Sequence, residues 1–203
     1  KTRNFSFLVA GGGGNGKTAL VTRLCKDSDI ENTFESILFI RLQTKEFMYS
    51  DIDYLTRELG KYNESDDYNQ KIQKIIEHMN NNKALLFIDN LESENEVSKT
   101  YLDYLINNLS NNSESKFILT SREKFKDLQI GYIHELKAFS PKDSLNYFHE
   151  VAKAFHFEEL TLGYHSGKNN QAHRAKLQTY CEKAHNVPAY IKLLVPWIKE
   201  TGS

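Results

Sequence analysis

The residues Gly11-Gly-Gly-Gly-Asn-Gly-Lys-Thr18 fit the spacing G-x-x-x-x-G-K-[ST], a phosphate-binding loop. Gly11, Gly12, Gly13, Gly14 and Gly16, with Asn15 among them, let the backbone curl until successive N–H groups point at one anion. A helix opening here adds the positive end of its dipole. Lys17 supplies a point charge for the β- and γ-phosphates. Thr18 offers a hydroxyl to Mg²⁺, and Ala19 completes the segment read as nucleotide-binding.

A phosphate loop needs a metal-holding acid and a group that reads the terminal phosphate. Ala84-Leu-Leu-Phe-Ile-Asp89 is an apolar run ending in a carboxylate, the Walker B pattern, so Asp89 is expected to hold Mg²⁺ with Thr18. Asn90, Glu92 and Glu94 follow. Glu92 is the candidate for polarising an attacking water, against the plainer role of a solvated loop acid. Lys116-Phe-Ile-Leu-Thr-Ser-Arg122 is another apolar run with a cationic tip. Arg122 suits γ-phosphate sensing through its planar fork of donors, and its plainer role is pairing with Glu123 or a nearby acid.

The elements that must position these groups follow from periodicity. Runs 5–10, 36–42, 84–89, 116–120 and 132–136 are short, apolar and rich in β-branched or aromatic residues. They predict five buried strands. Helical patterns over 17–27, 52–59, 68–80 and 98–109 separate the first four, which predicts a parallel α/β sheet. After Leu136 only helical patterns remain. Ser140-Pro-Lys-Asp143 reads as a helix start, with Ser140 as N-cap and Pro141 first in the helix. Helices are expected over 144–157, 172–185 and 188–199, with a loop over 159–170 around Gly163 and Gly167. The expected division is a phosphate-loop domain, 1–137, and a helical subdomain, 138–200.

Composition narrows the class. The chain has 203 residues, 26 Lys plus Arg against 27 Asp plus Glu, and 39% hydrophobic residues, enough for a globular core. A net charge of -1 argues against nucleic acid or a membrane as the main partner. Cys25 and Cys181 lie far apart in helical patterns, as buried thiols of a reducing compartment do, so a cytoplasmic location is expected. His149, His156, His173 and His185 show no metal-ligand spacing. The start at Lys1, shortly before a core strand, is the expected mark of a piece of something longer.

With these motifs in order, the chain resembles a STAND-class P-loop ATPase of the NB-ARC/NACHT-like group. Ala10-Gly-Gly-Gly-Gly-Asn-Gly-Lys-Thr-Ala-Leu20 resembles the family's loop. Leu85-Leu-Phe-Ile-Asp-Asn-Leu-Glu92 is similar to its Walker B segment, and Phe117-Ile-Leu-Thr-Ser-Arg122 to its sensor segment. Leu136-Lys-Ala-Phe-Ser-Pro-Lys-Asp-Ser-Leu-Asn-Tyr-Phe148 resembles the link into its helical subdomain. Cys181-Glu-Lys-Ala-His-Asn-Val-Pro188 is similar to the segment whose proline packs on adenine. Asn186 stands where glycine is usual, so Pro188 alone is carried over. A second Walker B acid is replaced by Asn90.

The resemblance implies a sheet with the sensor strand between the phosphate-loop and Walker B strands. It implies an ATP/ADP-binding switch with Mg²⁺, slow hydrolysis, and nucleotide-controlled self-association beside flanking domains of a longer signalling or defence protein. In the family, nucleotide state sets the angle between the two subdomains. Guanine is not expected, since no Asn/Thr-Lys-x-Asp segment follows the fourth strand. Two other readings stay open. One is an AAA-like ATPase acting on nucleic acid or protein, with Arg3, Arg57 or Arg174 tried as a trans-acting finger. The other is a nucleotide-binding scaffold with negligible turnover.

Overall fold

The structure is a computed structural model that describes residues 6–44, 47–92, 96–110, 113–125, 128, 130–157, 160 and 170–201. Arg3, Glu94 and most of the expected 159–170 loop lie outside the described residues. The chain divides into two compact units: Lys17–Glu135 with the residues up to Gly11, and Leu136–Ser203 with Gly12–Gly16.

The first unit is a five-stranded sheet. Its strands are β1 (Ser6–Ala10), β2 (Ser36–Arg41), β3 (Ala84–Asp89), β4 (Lys116–Ser121) and β5 (Tyr132–Glu135), in the order β2-β3-β4-β1-β5. Every pairing is parallel. β4, the strand that leads to Arg122, does lie between β1 and β3. Parallel neighbours need crossovers, and these are the helices α1 (Lys17–Leu24), α2 (Ser28–Thr33), α3 (Tyr49–Glu58), α4 (Tyr68–Asn81) and α5 (Glu96–Asn107). Alternation sorts the strand residues onto two faces. Leu38, Ile40, Leu86, Ile88, Phe117 and Leu119 pack with α3, α4 and α5 through Ile52, Leu55, Ile75, Met79 and Leu105. Ile37, Phe39, Leu85, Phe87 and Ile118 pack with Val21 and Leu24 of α1.

Local chemistry explains where elements depart from the sequence expectation. The first helix does not continue to 27. Asp27 takes an extended conformation and its carboxylate accepts from the N–H of Asp29, so it caps a separate helix, α2. The third helix begins at Tyr49, before 52, where the Asp51 carboxylate accepts from the N–H of Met48 at 2.8 Å. The last strand is not buried. β5 pairs with β1 alone, and every one of its residues is exposed.

The second unit is helical: α6 (Pro141–Ala154), α7 (Asn170–Lys183) and α8 (Pro188–Thr201). Ser140 caps α6 and Pro141 follows directly, because proline's missing N–H costs nothing in the first turn. Leu145, Phe148, Val151, Leu177, Cys181, Ile191, Val195 and Ile198 form its core. Phe155 falls outside that core, beyond the end of α6, and is 40% exposed. Burial pushes the Cys181 thiol up to about 11, which keeps it protonated and inert. No described helix is long and apolar enough to cross a membrane.

Candidate functional site

The site in the sheet unit grows out of strand alternation. Positions 37 and 39 of β2 and 85 and 87 of β3 face α1, so Arg41 and Asp89 come next on that same face. Parallel register sets Arg41 beside Asp89. On β4, Ile118 shares this face and Thr120 follows it. The helix after the phosphate loop packs here, which brings its first turn to the strand tips.

Asp89 therefore collects donors from several elements. Thr18 Oγ1 lies 3.0 Å from Oδ1 and 2.9 Å from Oδ2. Thr120 Oγ1 donates to Oδ1 at 2.6 Å, and Arg41 Nε donates to Oδ2 at 3.1 Å. Asp89 is 1% exposed, and a carboxylate so buried requires such partners. Lys17 Nζ donates to the Gly11 carbonyl at 2.6 Å. Burial holds the Lys17 ammonium below its ordinary range. Arg122 adds to that shift, while Glu92 and Asp89 oppose it. Lys17, Asp89, Glu92 and Arg122 thus stand within one electrostatic neighbourhood. The tip of β4 meets the end of β1 at Gly11, whose N–H donates to the Ser121 carbonyl at 3.1 Å.

Glu92 and Arg122 are engaged with one another: Arg122 Nε lies 2.7 Å from Glu92 Oε1. This is the pairing with a nearby acid that the sequence also allows for Arg122. Asn90 is a structural residue here. It sits at φ 72°, its N–H donates to Thr120 Oγ1, and its Nδ2 donates to the Leu42 carbonyl.

The loop glycines are described with the helical unit. The Asn15 N–H donates to the Gly12 carbonyl at 3.4 Å, and Asn15 Nδ2 to the Leu136 carbonyl at 2.9 Å. The Ala189 N–H donates to the Gly14 carbonyl at 3.3 Å. Gly14 has φ +81°, and a Cβ there would stand 2.9 Å from both Ala189 Cβ and Val187 Cγ1. Gly16 has φ +96° with open space where a Cβ would go. Gly13 is exposed, and Ala19 lies exposed in the first turn of α1. Pro188 is buried as the first residue of α8. His185 and Asn186 before it adopt φ 52° and 56°. Asn186 thus takes the left-handed conformation that glycine adopts most easily, so its presence in place of glycine does not remove the turn.

A buried carboxylate with a hydroxyl suits Mg²⁺, a hard cation commonly held by one or two carboxylates plus phosphate oxygens. Among the described residues no group of three or more His, Cys, Asp and Glu gathers. His173 instead meets the Leu160 carbonyl at 3.0 Å. The sequence reading gave no role to Arg41 or Thr120. Each is legible as the polar end of an apolar strand, the signal that marked Asp89.

The NB-ARC domain model matches residues 3–158. No curated protein matches in sequence. Among solved structures, a Thermotoga maritima RuvB variant is similar at TM-score 0.55 and 14% identity, covering 97% of this chain and 54% of that one. A STAND protein with a tetratricopeptide repeat sensor from Pyrococcus horikoshii is similar at 0.57 and 15%, covering 91% and 26%. The Drosophila ORC bound to DNA is similar at 0.62 and 14%, covering 98% and 58%. The chain thus spans from about a quarter to under two thirds of these proteins, and at such identities the likeness is one of fold.

Proposed function

The chain belongs to the NB-ARC domain family, and on that footing we propose that it is an ATP/ADP-binding switch module of a larger signalling or defence protein. In this reading slow, Mg²⁺-dependent ATP hydrolysis controls self-association. The nucleotide-binding character comes with the family. The Mg²⁺-nucleotide part of this reading is supported by one observation: Thr18 of the phosphate loop meets the buried Asp89 at 2.9 Å. That contact joins the phosphate and metal motifs in one place.

The roles assigned are these. The amides around Gly12–Gly16 cradle phosphate, and Lys17 leaves the Gly11 carbonyl for the β/γ oxygens. Thr18 and Asp89 hold Mg²⁺, which when bound neutralises charge developing on the phosphates. Glu92 orients water, Arg122 reads the γ-phosphate, and Pro188 contacts adenine. Since Arg122 now pairs with Glu92, arrival of a γ-phosphate would draw the arginine off the acid and free it for water. A nucleotide shifts a switch only by its differential affinity for the two states, and the γ-phosphate supplies that difference here. Calorimetric titration with ATP and ADP, with and without Mg²⁺, tests this reading. Absence of binding under all four conditions would reject it.

A second reading is an AAA-like ATPase acting on nucleic acid, favoured by the fold likeness to an ORC structure bound to DNA. The balanced charge speaks against it. Arg57, one candidate finger, lies 3.5 Å over the Tyr62 ring. Salt-dependent binding of duplex DNA in the presence of ATP would favour this reading over the switch.

A further inference from the structure

Arg41 has no place in the phosphate-loop, Walker B or sensor motifs, yet it is the cation in direct contact with the site's buried acid. We propose that Arg41 is an internal counter-cation that competes with Mg²⁺ for Asp89, and so sets the metal concentration at which the site loads nucleotide. This rests on the reading of Lys17, Thr18 and Asp89 as a Mg²⁺-nucleotide site.

Asp89 is 1% exposed, and such a carboxylate is costly unless a positive charge stands close. Thr18 and Thr120 bring neutral hydroxyls. Lys17 donates its ammonium to the Gly11 carbonyl, and its charge reaches Asp89 through space. Arg41 supplies the charge, with Nε 3.1 Å from Oδ2. That oxygen also accepts from Thr18, the other metal-ligand candidate, at 2.9 Å. Arg41 therefore occupies the oxygen beside the hydroxyl with which a metal would be shared.

The two ends of this ion pair are unequal. The Arg41 side chain is 62% exposed while that of Asp89 is 1% exposed. Arginine loses little by swinging into water, where its charge is solvated. Asp89 loses the cation in direct contact with it unless another arrives. The pair thus favours exchange of one cation for another over simple opening. Its position is fixed by the sheet, because β2 and β3 are in register with Arg41 beside Asp89. A slip of one residue would carry the arginine to the opposite face.

The test is a Mg²⁺ titration of a fluorescent ATP analogue bound to the protein, together with thermal melting of ligand-free protein. In Arg41→Ala the Mg²⁺ midpoint for binding should fall about tenfold, the scale of one charge-assisted hydrogen bond. Ligand-free Arg41→Ala should also melt at a lower temperature. Arg41→Lys keeps a cation without the planar fork, should hold the fold, and should give an intermediate midpoint. An unchanged midpoint with a lowered melting temperature would make Arg41 merely structural and overturn the proposal. A raised midpoint would overturn it too, by showing that Arg41 helps the metal to bind. Failure of the wild-type chain to bind the analogue at any Mg²⁺ concentration would instead reject the nucleotide site itself.

Discussion

Arg122 Nε and Glu92 Oε1 lie 2.7 Å apart, so the two side chains given separate duties toward nucleotide hold one another. Arg122→Ala should weaken ATP more than ADP, by roughly 1.5–3 kcal/mol for a lost charged hydrogen bond. The ratio of the two affinities, taken against wild type, measures this. An unchanged ratio would leave Arg122 as the partner of Glu92 and nothing more.

Glu92→Gln should keep nucleotide affinity within a few-fold while slowing phosphate release. The amide still accepts a hydrogen bond from Arg122 but is a far poorer base. Steady-state phosphate release at the wild-type rate would remove Glu92 from the chemistry.

Lys17→Met should lose nucleotide binding and also flatten the pH dependence of ligand-free stability. The Lys17 ammonium is held below its ordinary 10.5 by burial first and Arg122 second. The unfolded chain therefore keeps this proton to higher pH than the folded one does. Stability gains from Lys17 as pH rises through the window below 10.5, and at neutral pH the charged form bears the full cost of burial. Melting curves across that window should show a smaller rise in the variant. Equal slopes would mean that Lys17 sits in water.

Asp89→Ala should abolish hydrolysis and lower ligand-free stability by about 1–3 kcal/mol, since hydroxyls of Thr18 and Thr120 lose their acceptor. Asp89→Asn keeps an acceptor oxygen and should recover part of that stability without recovering hydrolysis. Denaturant unfolding of both variants checks the order. Equal losses would show that shape, not hydrogen bonding, is what Asp89 provides.

Gly14→Ala should destabilise more than Ala at an ordinary turn glycine. The new methyl meets Ala189 Cβ and Val187 Cγ1 at 2.9 Å, on a backbone at φ +81°. Strain of the backbone alone is about 1–2 kcal/mol, and the contact adds to it. Val187→Ala in the same chain should restore part of the loss, because it removes one of the two clashing carbons. No restoration would assign the whole effect to φ.

Much of this was readable from residue patterns, for a physical reason. Buried parallel strands such as Ala84–Asp89 are continuous apolar runs, and a motif like Gly11-Gly-Gly-Gly-Asn-Gly-Lys-Thr18 carries its own geometry. What escaped was set by pairing. Arg41 is an exposed arginine in any linear reading, and only the β2–β3 register places it against Asp89. The exposure of β5 likewise reflects its place at the sheet edge, since Tyr132-Ile-His-Glu135 has strand composition in either place. Helix α2 was missed because Asp27 can be read as the last residue of one helix or the cap of the next. Asn186 stands where glycine is usual, and asparagine also tolerates left-handed backbone.

The Ala189 N–H on the Gly14 carbonyl also bears on how the gene can be cut. A reading frame stopped after Leu136 would encode all five strands. It would nevertheless delete the donor to Gly14 and the two side chains that leave no room for a methyl there. Part of what holds the phosphate loop emerges from the ribosome only long after the loop itself, as the separation of positions 14 and 189 records. Such a nascent chain could pair its strands before its loop had a settled shape.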